Sequence, residues 1–92
     1  MDKKVPLSIY VFKSKYRTEV LKTLVNNPFQ TPSEILKKTP PKYISHMSRT
    51  MRELEEKELI SCENPKDNNY KVYFPTELGI KVEEEIKKYN NN

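Results

Sequence analysis

The stretch from Thr31 to Ile60, TPSEILKKTPPKYISHMSRTMRELEEKELI, leaves this chain few folds to choose from. Thr31-Pro32-Ser33-Glu34 has the pattern of a capping box. It places a hydroxyl at the N-cap, proline at the first helical position, and a glutamate able to reach back to the cap. Ile35 and Leu36 supply the apolar contacts of that helix, and Pro40-Pro41 ends it sharply. A second helix is expected from Lys42 or Tyr43 to Lys57. There Ile44, Met47, Met51 and Leu54 recur three, four and three residues apart, which makes one buried stripe. Cations and small hydrogen-bonding groups crowd the front of this helix, and Glu53, Glu55, Glu56 and Glu58 crowd its rear. Ser45, His46, Ser48, Arg49 and Arg52 fall outside the stripe.

The flanking sequence completes the pattern. Leu7–Phe12 (LSIYVF) is almost wholly apolar, so periodicity alone leaves strand and helix equally open. Tyr16–Val25 is an amphipathic helix with one stripe through Tyr16 or Arg17, Val20, Leu21 and Leu24, stopped by Asn26-Asn27-Pro28. Phe29-Gln30 is a short connector with room for one pairing strand. Leu59–Glu63 and Tyr70–Phe74 are expected strands around the turn cluster Asn64-Pro65-Lys66-Asp67-Asn68-Asn69. Thr76 caps a last helix whose apolar stripe is expected through Leu78, Val82, Ile86 and Tyr89.

Composition removes several classes of function. Ninety-two residues make one small domain. One cysteine, Cys62, and one histidine, His46, make neither an internal disulfide nor a metal site, and they suit a reducing cytoplasm. Cys62 reads as a small core residue of a strand or, less simply, as a redox switch. No apolar run approaches the roughly 20 residues a bilayer requires, and the short apolar stretch after Met1–Lys4 lacks a signal-peptide cleavage site. With a single glycine there is no phosphate-cradling loop, and no nucleophile–base arrangement is visible, so neither an enzyme nor a cofactor is expected. The net charge of +4, from 17 basic and 13 acidic residues, permits a polyanionic partner. Its distribution says more: Pro41–Arg52 holds Lys42, Arg49 and Arg52 with no acid, directly ahead of the acidic Glu53–Glu58.

The order helix, helix, helix, strand, strand, helix resembles the winged helix-turn-helix transcriptional regulators of bacteria and archaea. It looks closest to small archaeal single-domain members and, more broadly, to the MarR and ArsR kinds. The matching residues are Ser14-Lys15-Tyr16-Arg17 with Val20-Leu21, Thr31-Pro32-Ser33-Glu34-Ile35, Ser45-His46-Met47-Ser48-Arg49, Met51-Arg52-Glu53-Leu54-Glu55-Glu56-Lys57 with Leu59-Ile60, and Thr76-Glu77-Leu78-Gly79. The implied fold is α+β and mostly helical, with a three-helix core, a two-stranded wing and a C-terminal helix. Residues 1–92 would form one such domain, with 1–13 as an N-terminal arm or helix extension. The helix-turn-helix would span 31–57, the wing 59–74 and the last helix 76–89. The family places a glycine in left-handed backbone where this chain has Glu58, so either Glu58 takes that geometry at a cost of roughly 1 kcal/mol or the helix ends differently.

The resemblance implies sequence-specific binding of double-stranded DNA, with the helix at about 43–57 in the major groove. Arg49 and Arg52 have the side chain best able to take guanine O6 and N7 together or to grip phosphate. Their alternative is pairing along the helix, Arg49 with Glu53 and Arg52 with Glu55 or Glu56. Ser45, His46 and Ser48 sit where base edges and phosphates are in reach, although Ser48 also suits packing against the preceding helix. Lys42 and Tyr43 would meet the phosphate backbone. Lys66, Asn68, Asn69 and Lys71 occupy the wing, which in such proteins follows the minor groove or adjacent phosphates. Lys13, Lys15 and Arg17 make either a phosphate clamp or a solubilising surface. A homodimer is expected through Leu7–Phe12, the last helix, or both. The rival reading is a winged-helix module that docks on a protein partner without touching DNA. Operator, regulated genes, effector and the sign of regulation are not written in the residues.

Overall fold

The computed structural model describes residues 6–39, 46–67 and 69–90. The elements in chain order are α1 (Leu7–Phe12), α2 (Lys15–Asn26), α3 (Pro32–Lys37), α4 (Met47–Glu56), β1 (Ile60–Cys62), β2 (Tyr73–Pro75) and α5 (Glu77–Asn90). The fold is α+β and mostly helical, with five helices and one antiparallel hairpin among the described residues. No helix among those residues is long and apolar enough to cross a membrane.

Local chemistry sets the helix ends. Ser14 caps α2 by accepting from the Arg17 N–H at 3.2 Å. Thr31 and Glu34 close both halves of the expected capping box, at 3.2 and 2.8 Å, with Pro32 at the first helical position. These bonds favour the ionised carboxyl, so Glu34 is held below its ordinary value, chiefly by the Thr31 backbone N–H. Thr76 caps α5 through the Gly79 N–H at 3.0 Å.

The ambiguous Leu7–Phe12 is a helix. Its amphipathicity emerges only on docking, with Ser8 and Val11 buried and Ile9 and Phe12 outward. The core gathers Val11, Val20, Leu21, Leu24, Ile35, Met47, Met51, Leu54, Leu59, Ile60, Val82 and Ile86. Ile44, the first residue of the expected α4 stripe, lies outside the described residues. The α5 stripe is rotated from the expected one. Gly79, Val82, Glu83 and Ile86 face inward, while Leu78 and Tyr89 are 40% and 42% exposed. The cause is Gly79: a Cβ there would collide with the Leu59 carbonyl, so the glycine lets α5 cross the chain leaving α4.

That crossing is locked on both sides. The Glu58 N–H bonds the Glu55 carbonyl at 2.9 Å and the Leu59 N–H bonds the Leu54 carbonyl at 3.0 Å, a Schellman closure of α4. Glu58 stands at its left-handed position with φ 59°, so it takes the geometry of the missing glycine. The Thr76 hydroxyl lies 2.7 Å from the Glu58 carbonyl and its N–H bonds Leu59 O, tying α5 to the same corner.

Both strands are shorter than the expected Leu59–Glu63 and Tyr70–Phe74, pairing Ile60 with Pro75, Ser61 with Phe74 and Cys62 with Tyr73. Beyond Cys62 one more backbone bond, from Glu63 N to Val72 O at 2.8 Å, is followed by side chains of the turn. Asn64 Oδ1 accepts from Val72 N at 2.8 Å, and Asp67 Oδ1 accepts from the N–H groups of Asn69 and Tyr70 at 2.8 and 2.9 Å. Gln30 is the anticipated third pairing segment, exchanging both backbone bonds with Tyr73 at 3.0 and 2.8 Å. It fastens the entry of α3 to the base of the wing.

Candidate nucleic-acid interface

Burial of Met47, Thr50, Met51 and Leu54 turns the opposite side of α4 to solvent, which leaves Ser48, Arg49 and Arg52 exposed. Ser48 is therefore not a packing residue against α3. The outward residues form two groups. Ser48 and Arg52, with Pro32, Met51, Glu55 and Tyr73, line a cleft of about 250 Å³ between α3, α4 and β2. A neighbouring cleft of about 340 Å³ runs from Thr31, Pro32 and Ser33 to Asn69, Tyr70 and Lys71 of the wing. The two clefts share Pro32 and Tyr73, so the start of α3 and the base of the wing lie between them.

His46 and Arg49 lie on the side of α4 nearer α2. The His46 ring stacks on Tyr16 with centroids 4.3 Å apart and planes 29° apart. Arg49 Nη2 lies 3.1 Å from His46 Nδ1. The expected pairing of Arg49 with Glu53 does not form. Glu53 turns instead to Arg17, at 3.3 Å, in the single salt bridge found among the described residues. Arg52 likewise forms no ion pair with Glu55 or Glu56. Neither arginine has an ion-pair partner among the described residues: the acid one turn from Arg49, Glu53, is held by Arg17, whereas Glu55 lines the same cleft as Arg52.

Arg17 is a correction to both sequence readings. Its side chain is only 16% exposed, donates to the Tyr10 carbonyl at 3.0 Å, and lies over the Tyr10 ring at 4.0 Å. It is a strut joining α1, α2 and α4 and is neither a phosphate clamp nor a solvated cation. Lys13 and Lys15 are exposed.

In the wing, Lys66, Asn69 and Lys71 are exposed. Asp67 holds the turn together; the backbone N–H groups of Tyr70 and Asn69 keep its carboxyl below the ordinary value. Cys62 is half-buried with its Sγ 3.7 Å from Asn64 Oδ1. Lys42, Tyr43, Ser45 and Asn68 fall outside the described residues. Sequence reasoning missed Tyr16 as a neighbour of the site. Its signal was weak: a polar aromatic at the start of α2, where the apolar stripe had an equally good phase on Arg17.

No protein-family model matches the sequence, and no curated protein matches it. Among solved structures the chain is similar to a MarR family transcription regulator, with a TM-score of 0.71 and 19% identity. The match covers 90% of this chain and 55% of the other, so this chain spans about half the length of the protein it matches. At that identity the likeness is one of fold: the chain has a MarR-like winged-helix architecture.

Proposed function

We propose that this chain is a sequence-specific double-stranded DNA-binding transcriptional regulator acting as a homodimer, with residues 1–92 forming one winged-helix domain. The helix at about 43–57, of which α4 is the described part, enters the major groove, and the hairpin follows the adjacent backbone or minor groove. One observation carries this reading. Arg49 and Arg52 face outward from α4 with no ion pair among the described residues, and Glu53, the acid placed to neutralise Arg49, is engaged by Arg17. Arginine so presented suits guanine edges and phosphates. His46, Ser48, Lys66, Asn69 and Lys71 extend the polar surface, with Lys42, Tyr43, Ser45 and Asn68 beside them in sequence. The fold likeness to a MarR family transcription regulator supports the same reading.

The test is selection of genomic fragments by the purified protein, then mobility shifts at two salt concentrations. Arg49→Ala should weaken binding by about 1–3 kcal/mol if it reads a base, and flatten the salt slope by about one if it grips phosphate. Unchanged affinity in Arg49→Ala would remove the helix from the contact. No binding of the wild-type protein to any duplex at low salt, with a protein partner retained on a column, would favour the protein-docking module.

A further inference from the structure

We propose that Tyr16, a residue of α2 outside the recognition helix, is a positioning residue for DNA selectivity, acting through His46 on the guanidinium of Arg49. The inference rests on the DNA-binding reading above and goes beyond it by assigning selectivity to a residue that need not touch DNA.

Three contacts build the device. The Tyr16 ring backs the His46 ring at 4.3 Å, which fixes the plane of the imidazole. His46 Nδ1 meets Arg49 Nη2 at 3.1 Å. Arginine has only donors, so a hydrogen bond here makes Nδ1 the acceptor and requires the tautomer with its proton on Nε2. One N–H of the guanidinium is thereby anchored, and the planar group keeps other donors for a ligand. The third contact comes from the next residue of α2. Arg17 holds Glu53, which would otherwise sit one turn from Arg49 on the same helix. Tyr16 and Arg17 thus bracket Arg49, one directing it and the other removing its competitor. An arginine already held in place loses less rotamer freedom on contact than a free one, and a fixed direction discriminates among base pairs where a mobile cation does not.

The experiment compares affinity for the selected site with affinity for random duplex. Tyr16→Leu should lower that ratio by about tenfold, while leaving random-duplex affinity and the salt slope unchanged, and His46→Leu should lower the ratio by at least as much. His46→Asn, whose amide oxygen can replace Nδ1 as acceptor, should recover most of the loss. In an Arg49→Ala background, Tyr16→Leu should cost nothing more. Long-range proton–nitrogen spectra of the free protein should show His46 with its proton on Nε2, perturbed in Arg49→Ala. Additive losses in the double variant, an unchanged ratio in both leucine variants, or a proton on Nδ1 would overturn the proposal. If the wild-type protein binds no duplex, the DNA reading falls and this inference falls with it. If it binds and the cycle is additive, only this inference falls.

Discussion

Glu58 occupies a left-handed position at φ 59° that closes α4, with its N–H and that of Leu59 both satisfied. The hydrogen bonds belong to the backbone, so a glycine would keep them and shed the Cβ strain. Glu58→Gly is expected to raise stability by about 0.5–1 kcal/mol in urea unfolding, and a loss would show that the glutamate side chain contributes more than its backbone costs. Glu83 is a different kind of misfit. It is 3% exposed on the inner face of α5, and its Oε1 has no hydrogen-bond partner. Burial pushes its carboxyl above the ordinary value, opposed by Lys87 and Lys22 and assisted by Glu19. A raised carboxyl stabilises the fold at acid pH, and that contribution disappears as pH rises through the raised value. Glu83→Gln should therefore be the more stable protein by about 1 kcal/mol at neutral pH, with the gap closing near pH 4. Glu34 and Asp67, both lowered, have the opposite sign and lose their contribution as pH falls. Denaturant midpoints across pH for both proteins would check this, and a gap that widens in acid would refute it. The sequence reveals these residues unevenly. The left-handed Glu58 is legible because a missing glycine at a helix end has a defined cost. Glu83 is not, because an acid on an apolar face breaks the very periodicity used to find the face.

Among the elements, the contact most worth breaking is the strut at Arg17. It donates to the Tyr10 carbonyl of α1 and to Glu53 of α4, and its guanidinium covers the Tyr10 ring, which Lys57 approaches to 5.2 Å from the rear of α4. Arg17→Met keeps the apolar stem but strands a backbone carbonyl and a half-buried carboxylate. It should cost about 1–3 kcal/mol, more than Glu53→Gln, which leaves the guanidinium its bond to Tyr10. Equal losses in thermal unfolding would reduce the strut to a simple ion pair. Sequence reasoning located α2, α3 and α4 because caps and stripes are local signals. It overran both strands because Asn64 and Asp67 capture backbone N–H groups with their own side chains, and propensity does not register that exchange. It placed the α5 stripe on Leu78 because leucine outweighs glycine in any apolar count, whereas the packing turns on Gly79 having no side chain at all.

For the molecule as a whole, the question is how one small body would engage two half-sites. The molecule measures 40 × 29 × 22 Å, and α1 packs on α5 at one edge. The Phe12 and Tyr89 rings meet edge to face at 5.4 Å, and Ser8 shares a 2.9 Å hydrogen bond with the Tyr89 hydroxyl. The same edge leaves Ile9, Phe12 and Tyr89 more than a third exposed. These side chains complete the α1–α5 contact and still present apolar surface, as expected of a face shared with a second copy. A dimer that reads a palindromic site must set its two recognition helices about one turn of DNA, roughly 34 Å, apart, and the proposed reading asks this edge to supply that axis. Ile9→Glu places a charge on α1 and leaves Phe12 and Ser8, the partners of Tyr89, in place. It is expected to convert a dimer to a monomer in sedimentation, with an unchanged circular dichroism spectrum. Affinity for a palindromic site should then fall at least about tenfold, while affinity for a single half-site holds, because only the linkage between two binding events is lost. A wild-type protein that sediments as a monomer at micromolar concentration would refute the assignment of this edge. A dimer untouched by Ile9→Glu would move the interface elsewhere on the molecule.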